Sequence, residues 1–304
     1  MSIPCPIPYH GSKRRLAGSI LTFIPENISG TFFEPFAGSA SISLAYAKAG
    51  KSRNFVLSDI LAPLTEIWKM IINEPEALSR QYQKLWLEQL DDPRSTYFRI
   101  RAEYNESKDP VKLLYLIVRC VKNSIRFNPQ GYFNQSPDNR RKGMHPSKMH
   151  KEIFEAHGLL SGKTTVLALD YRQVLSLVTP DDFVYMDPPY QGVSNGKDKK
   201  YFCPLSLDDF IDDIRRLNRI NVPFIISFDG NTGTRTYGDD LPTDLGLKKI
   251  SLVAGRSSQA TLLGRDEITV ESLYLSPTLM DKLSDNNSET LALIPHSQQL
   301  ALLP

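Results

Sequence analysis

Asp187-Pro188-Pro189-Tyr190 follows the apolar run Phe183-Val184-Tyr185-Met186, so a carboxylate, two ring-locked residues and an aromatic face stand where a strand must end. Asp187 can accept a hydrogen bond, and so can the Pro188 carbonyl, which has no ladder partner there. The prolines fix φ and remove their own donors, so the turn offers acceptors in a rigid frame. Tyr190 adds a ring for stacking. A flat base with an exocyclic amine would use all of these. The plainer reading, a strand-ending turn, accounts for Asp-Pro-Pro but not for the aromatic placed after it.

Such a turn needs a sheet to hold it. Thr31–Phe36 reads as a buried strand, followed by the small-residue turn Ala37-Gly38-Ser39-Ala40. Ser41–Lys48 reads as a helix closed by Gly50, and Asn54–Leu57 as a strand ending at Ser58-Asp59. Asp59 lies 21 positions after Gly38, close to the spacing of a ribose-binding carboxylate. Helical pattern then covers 64–72, 76–90, 95–105 and 111–125. A loop-rich stretch runs from Arg126 to Pro146, and a helix from Ser147 to Ala156. Alternation returns with strand 164–169, helix 171–177, strand 183–186, helix 206–219 and strands 223–228, 247–253 and 267–275. The last two should pair as an antiparallel hairpin.

This pattern predicts an α/β fold, a Rossmann-like mixed sheet that is mostly parallel with a C-terminal antiparallel hairpin. The domain reading is a catalytic part from 1–62 and 161–276, an inserted helical part from 63–160, and a marginal or disordered tail from 277–304. Residues 191–203 read as a mobile polar lid.

Charge is uneven. Between Arg94 and Lys151 thirteen Lys/Arg face four acids (Glu103, Glu106, Asp109, Asp138), a net of +9, which leaves −7 for the rest of a chain whose total is +2. Concentrated positive charge suits a phosphate backbone, although a solvated helical surface also produces it. No apolar run approaches the roughly 18 residues of a membrane span, and no signal-peptide core is seen, so a cytoplasmic location is expected. Cys5, Cys120 and Cys203 have no metal-site or redox spacing. Pro4-Cys5 only mimics a Pro-Cys nucleophile, because it is far from any strand end. No metal is expected.

Taken together, four motifs resemble the Dam-type (D12 class) adenine-N6 DNA methyltransferases in the α-group order. They are Tyr9-His10-Gly11-Ser12-Lys13, Phe33-Glu34-Pro35-Phe36-Ala37-Gly38-Ser39-Ala40-Ser41, Ser58-Asp59 and Val184-Tyr185-Met186-Asp187-Pro188-Pro189-Tyr190. The resemblance runs from about Ile7 to Ser276. Ser12 and Ala40 stand where the family pattern has glycine, and a position needing φ > 0 would be strained there.

The resemblance implies S-adenosylmethionine as methyl donor. Tyr9 and Lys13 would contact it, Phe36 and Gly38 would wall it, and Asp59 would accept its ribose hydroxyls. Asp170 would lie near its adenine, or else cap the helix that follows. Asp187 would border it, and Asp187, Pro188, Pro189 and Tyr190 would act on a flipped-out adenine. Double-stranded DNA would be the substrate, with a cognate restriction endonuclease as a possible partner or a role as an orphan chromosome methylase.

The Arg126–Asn134 stretch resembles the family's recognition loop. Arg126, Phe127, Asn128, Gln130, Tyr132 and Asn134 suit base edges, whereas Arg140, Arg141 and Lys142 suit phosphates. Cytosine-N4 transfer is the nearest alternative, RNA adenine a weaker one, and a catalytically inactive DNA-binding module the rival from another class. Asp before Pro-Pro-Tyr favours adenine in the family comparison. The recognition sequence and the oligomeric state are not encoded in any motif.

Overall fold

A computed structural model describes residues 2–9, 11–51, 54–189, 205–232, 235–236, 240–256 and 268–285. The chain forms two compact units, 1–14 with 37–171 and 15–36 with 172–304. Tyr190 and the expected lid at 191–203 lie outside the described residues, as does 286–304.

The second unit holds the strand that ends at Asp187. Strand β1 (Phe32–Glu34) pairs in parallel with β4 (Phe183–Met186), matching Phe32 with Phe183 and Phe33 with Val184. On its other side β4 pairs in parallel with β5 (Phe224–Thr232). Every residue of β4 is buried, as a strand paired on both edges and covered on both faces requires; hence its unbroken apolar run. Asp182 fixes the entry to β4. Its carboxylate accepts from Thr31 N–H (2.7 Å), Thr179 N–H (2.8 Å) and the Thr179 hydroxyl (2.7 Å). A Cβ on Gly30 would stand 2.3 Å from that carboxylate, so only glycine fits there.

The expected hairpin is present. β7 (Lys248–Arg256) and β8 (Ile268–Leu275) are antiparallel, and β8 also joins β5 antiparallel, giving the order β1-β4-β5-β8-β7. A short strand, β6 (Arg235–Thr236), pairs with the far end of β5. The fold is therefore a mixed α/β sheet of Rossmann-like type. Helix α9 (Leu207–Arg219), capped by Ser206, turns Phe210, Ile211, Ile214 and Leu217 inward.

In the first unit β2 (Phe55–Ser58) and β3 (Thr164–Leu167) pair in parallel. Around them are α2 (Ser41–Lys48), α3 (Ala62–Asn73), α4 (Pro75–Glu88), α5 (Pro93–Ser107), α6 (Pro110–Arg119) and α7 (Pro146–Leu160). Four of these open with proline at the first helical position, where a missing N–H costs nothing. Asp92 and Asp109 cap α5 and α6 by accepting from the next N–H groups. The stretch 63–160 shares this unit with the turn 37–40 and with β2. A recognition role for it is thus a proposal about function and does not follow from separate compactness.

Three elements differ from the sequence reading. The helix expected over 111–125 stops at Arg119, because Cys120 is extended and Lys122 and Asn123 take positive φ. Asn123 Nδ2 then donates to Ile117 O (3.0 Å), satisfying a terminal carbonyl. A short helix, α1 (Ala17–Leu21), carries no amphipathic signature long enough to read. The expected tail begins as a helix, α10 (Pro277–Asp285), after α8 (Tyr171–Leu175) and α9 in chain order. Ser276 Oγ accepts from Leu279 N–H (3.2 Å) and Leu279 is buried, so these nine residues are anchored.

Candidate active site and nucleic-acid interface

The turn after β1 is held through its backbone. Ala37 N–H donates to Ser58 O (2.8 Å), and Trp68 Nε1–H of α3 donates to Gly38 O (2.9 Å). Gly38 N–H donates to Asp59 Oδ2 (3.0 Å), while Leu61 N–H donates to Asp59 Oδ1 (2.9 Å). Asp59 thereby fixes the turn from the end of β2 and still keeps one lone pair on each oxygen for a ligand. It is half-buried. Desolvation pushes its carboxyl above the usual range; the two backbone donors oppose that shift but do not overcome it.

Gly38 has φ +48, and a Cβ there would stand 3.3 Å from the Tyr9 ring, so close approach as well as conformation selects glycine. Ala40 has φ +48 and ψ +36 with no glycine to accommodate it. The strain expected of that substitution is real and costs roughly 1–2 kcal/mol. Ser12 has a use that glycine could not serve: its hydroxyl oxygen accepts from Ser39 Oγ (2.8 Å), joining the N-terminal turn to the turn at 37–40. Ser12 N–H closes that turn onto Tyr9 O (3.3 Å). Lys13 is buried, with Nζ donating to Gly11 O (3.4 Å). Asp170 is half-buried between β3 and α8.

In the second unit Asp187 and Pro189 are half-buried and Pro188 is buried, all directly after β4. Phe36 packs edge-on against Phe210 of α9 (6.4 Å). Tyr190 cannot be placed, since it lies outside the described residues.

The loop after α6 has a rigid backbone. Phe127 and Phe133 form an antiparallel bridge, and their rings meet at 5.8 Å above Tyr104 of α5. Asn105 brackets Phe133 with its amide, accepting from its N–H (2.7 Å) and donating to its carbonyl (3.2 Å). Tyr97 OH donates to Gln135 O (3.0 Å), Gln89 Nε2 to Lys142 O (2.9 Å) and Tyr82 OH to Met144 O (2.6 Å). Helix side chains thus satisfy the loop's carbonyls, and Arg126, Gln130, Tyr132 and Asn134 remain exposed.

Two expectations change here. Asn128 was assigned to base reading, yet its Oδ1 accepts from Gln130 N–H (3.1 Å) and Tyr132 N–H (2.8 Å). That amide staples the turn, so it cannot also make a paired contact with a base edge. Phe127 packs in the ring cluster, which leaves Tyr132 as the aromatic on display. Arg140 and Arg141 are not simply free cations either. Asp138 takes Nε of Arg140 (3.2 Å) and of Arg141 (2.9 Å), which lowers its carboxyl to about 2. The outer edges of both guanidiniums remain exposed.

Residues 9–224 match the D12 class N6 adenine-specific DNA methyltransferase family, a span that includes every motif above. The chain belongs to this family. Among curated relatives, Retron Ec67 DNA adenine methylase of Escherichia coli is 24% identical over 62% of this chain and 65% of its own length. Modification methylase StsI of Streptococcus sanguinis is 24% identical over 62% of this chain and 29% of its length. Type II methyltransferase M.MjaIII of Methanocaldococcus jannaschii is 24% identical over 68% and 75%. The chain therefore spans less than two thirds of the first two relatives.

This D12 member also uses residues that motif reading passed over. Trp68 reads as core on an amphipathic helix, and nothing in the pattern signals its bond to Gly38. Arg119 is fully buried at the end of α6, where Nη1 donates to Asp138 O (3.0 Å) and to Arg141 O. Gly143 passes so close that a Cβ would lie 3.0 Å from Arg119 Cδ. The turn 138–143 is wrapped around this guanidinium. Arg119→Met should lower unfolding stability by at least about 2 kcal/mol, since each buried acceptor left without a donor costs about 1–3 kcal/mol. Urea denaturation checks this, and an unchanged midpoint would mean that the turn holds itself.

Proposed function

We propose that this protein transfers a methyl group from S-adenosylmethionine to the N6 amine of an adenine flipped out of duplex DNA. The observation that carries the reading is the donor turn, where one carboxylate, Asp59, organises Gly38 within a family match that also reaches Asp187. The residues fit the donor. Lys13 offers a cation for its carboxylate, Asp59 two spare acceptor sites for a ribose diol, and Tyr9 with Gly38 a close-packed wall. When bound, the donor supplies an electrophilic methyl on a sulfonium.

The chain's own part is positioning. Asp187 and the Pro188 carbonyl accept from the target amine, localising a lone pair that the ring would otherwise delocalise. Rigid placement of those acceptors lowers the barrier without a covalent intermediate. Burial pushes the Cys120 thiol up to about 12, which suits packing and not nucleophilic attack. Tyr190 would stack on the flipped base.

The segment 63–160 would read DNA. Arg126 and Gln130 present forked or amide ends to bases, Tyr132 and Asn134 flank them, and Arg140, Arg141 and Lys142 hold phosphates. A setting beside a cognate endonuclease agrees with relatives named as type II and modification methylases, and a cytoplasmic location is part of the same proposal. Among the described residues no helix is long and apolar enough to cross a membrane.

Long-read sequencing of plasmid from expressing cells tests the reading. Modified adenines in one short motif are expected. Modified cytosines would transfer the same amine chemistry to N4, and unmodified DNA would leave a binding module.

A further inference from the structure

One face of α5 carries Arg94, Phe98, Arg101 and Asn105, spaced four and three apart as a single helical stripe, with Lys108 just past the helix end. The loop after α6 runs antiparallel along it. Lys108 Nζ donates to Gly131 O (3.2 Å), Asn105 brackets Phe133, and Arg101 Nη1 donates to Gln135 O (3.2 Å). At the start of α5, Arg119 Nη2 donates to Pro93 O (3.5 Å) while Nη1 holds the turn at Asp138. The stripe is therefore bounded by the exposed Arg126–Asn134 turn at one end and by the Arg140–Lys142 run at the other.

Between those two clusters lies an exposed stack that neither the motifs nor the family match assigns. Phe98 is 36% exposed, with the Arg101 guanidinium 4.8 Å and the Arg94 guanidinium 6.0 Å from its ring centre. Among the described residues neither arginine has a carboxylate partner. Arg99, on the same helix, is different: it is bound to Glu88 (2.7 Å) and Glu103 (2.6 Å). Two unneutralised guanidiniums held beside an exposed ring form a charge-complementary seat for a polyanion.

We propose that Arg94, Phe98 and Arg101 form a second DNA-contact patch that binds backbone phosphates between the base-reading turn and the basic run. Phe98 splays the guanidiniums so that each meets a separate phosphate, and the patch adds affinity without sequence preference. This rests on the reading of 63–160 as the DNA-binding segment.

Binding of the full chain to a mixed-sequence duplex of about 30 base pairs, followed by anisotropy across roughly 50–200 mM salt, tests it. Each phosphate contact contributes about 0.9 to the slope of log K against log salt, so R94A/R101A should flatten the slope by about two units. Arg101→Lys should keep its share, and Arg99→Ala should leave slope and affinity as in the parent. Melting curves identify any variant that fails to fold; Arg94→Gln, at an exposed position, then gives the same reading for one unit. A double variant that binds like the parent, or an Arg99→Ala effect equal to it, overturns the patch. If the parent itself shows no salt-dependent binding, the DNA reading of 63–160 fails instead.

Discussion

Asp187→Ala is expected to lose methyl transfer by about 10²–10³-fold, the usual loss when one preorganised polar contact to the reacting centre is removed. Binding of S-adenosylmethionine should stay within a few-fold of the parent. The reason is the division of labour along the chain. Asp187 directly follows a strand buried at every position and paired on both edges, so its carboxylate is carried on a strand held from both sides. The donor-turn contacts belong to other residues: Asp59 on Gly38, Trp68 on the Gly38 carbonyl and Ser12 on Ser39. A tritiated-methyl assay beside calorimetry separates the two effects. Near-parental turnover would remove Asp187 from the chemistry, and parallel loss of turnover and donor binding would make it a cofactor residue.

Asp59→Ala should weaken donor binding by roughly ten- to a hundredfold, because hydrogen bonds to a charged acceptor contribute about 1.5–3 kcal/mol. Part of that loss comes from the turn itself, since Gly38 N–H and Leu61 N–H both lose their acceptor. Asp59→Asn distinguishes the components by keeping an acceptor while removing the charge.

A pH signature accompanies this pair. The Asp59 carboxyl titrates above its ordinary 3.8 because burial outweighs the two backbone donors. Without ligand, the folded chain then holds this proton at pH values where the unfolded chain has released it. The stability contributed by protonated Asp59 is present below the unfolded value and is lost as pH rises through the folded one. Donor binding, which needs an acceptor, should follow the opposite course, weakening on acidification above the usual aspartate range. A flat affinity profile in Asp59→Asn and a sloping one in the parent would establish the assignment. Identical profiles would place the ribose elsewhere.

How far the sequence alone reaches depends on the residue. The run 183–186 could be read because a doubly covered strand must be apolar throughout; the helix starts read one or two residues late, at 76, 95, 111 and 147, because each helix begins on the proline just before. Ala40 stands where the resembled family pattern has glycine, and its φ of +48 agrees with the strain expected there. The end of α6 could not be read. Its apolar pattern continues through Val121, and the break arises from Asn123 and Lys122 entering the left-handed region. Asn128 shows the deeper limit. An Asn in a Gly-containing loop has the same side chain whether it reads a base or closes a turn, and only the backbone N–H groups of Gln130 and Tyr132 decide between them. The same holds for Asp138, whose two ion pairs turn a bare basic run into a clipped one.

The central claim is methyl transfer to adenine N6, and nucleoside analysis tests it most directly. Duplex DNA incubated with purified protein and methyl-labelled S-adenosylmethionine is digested to nucleosides and resolved by mass spectrometry. The account predicts label in N6-methyladenine alone, lost in Asp187→Ala. Label in N4-methylcytosine, or none in either base with donor still bound, would contradict it.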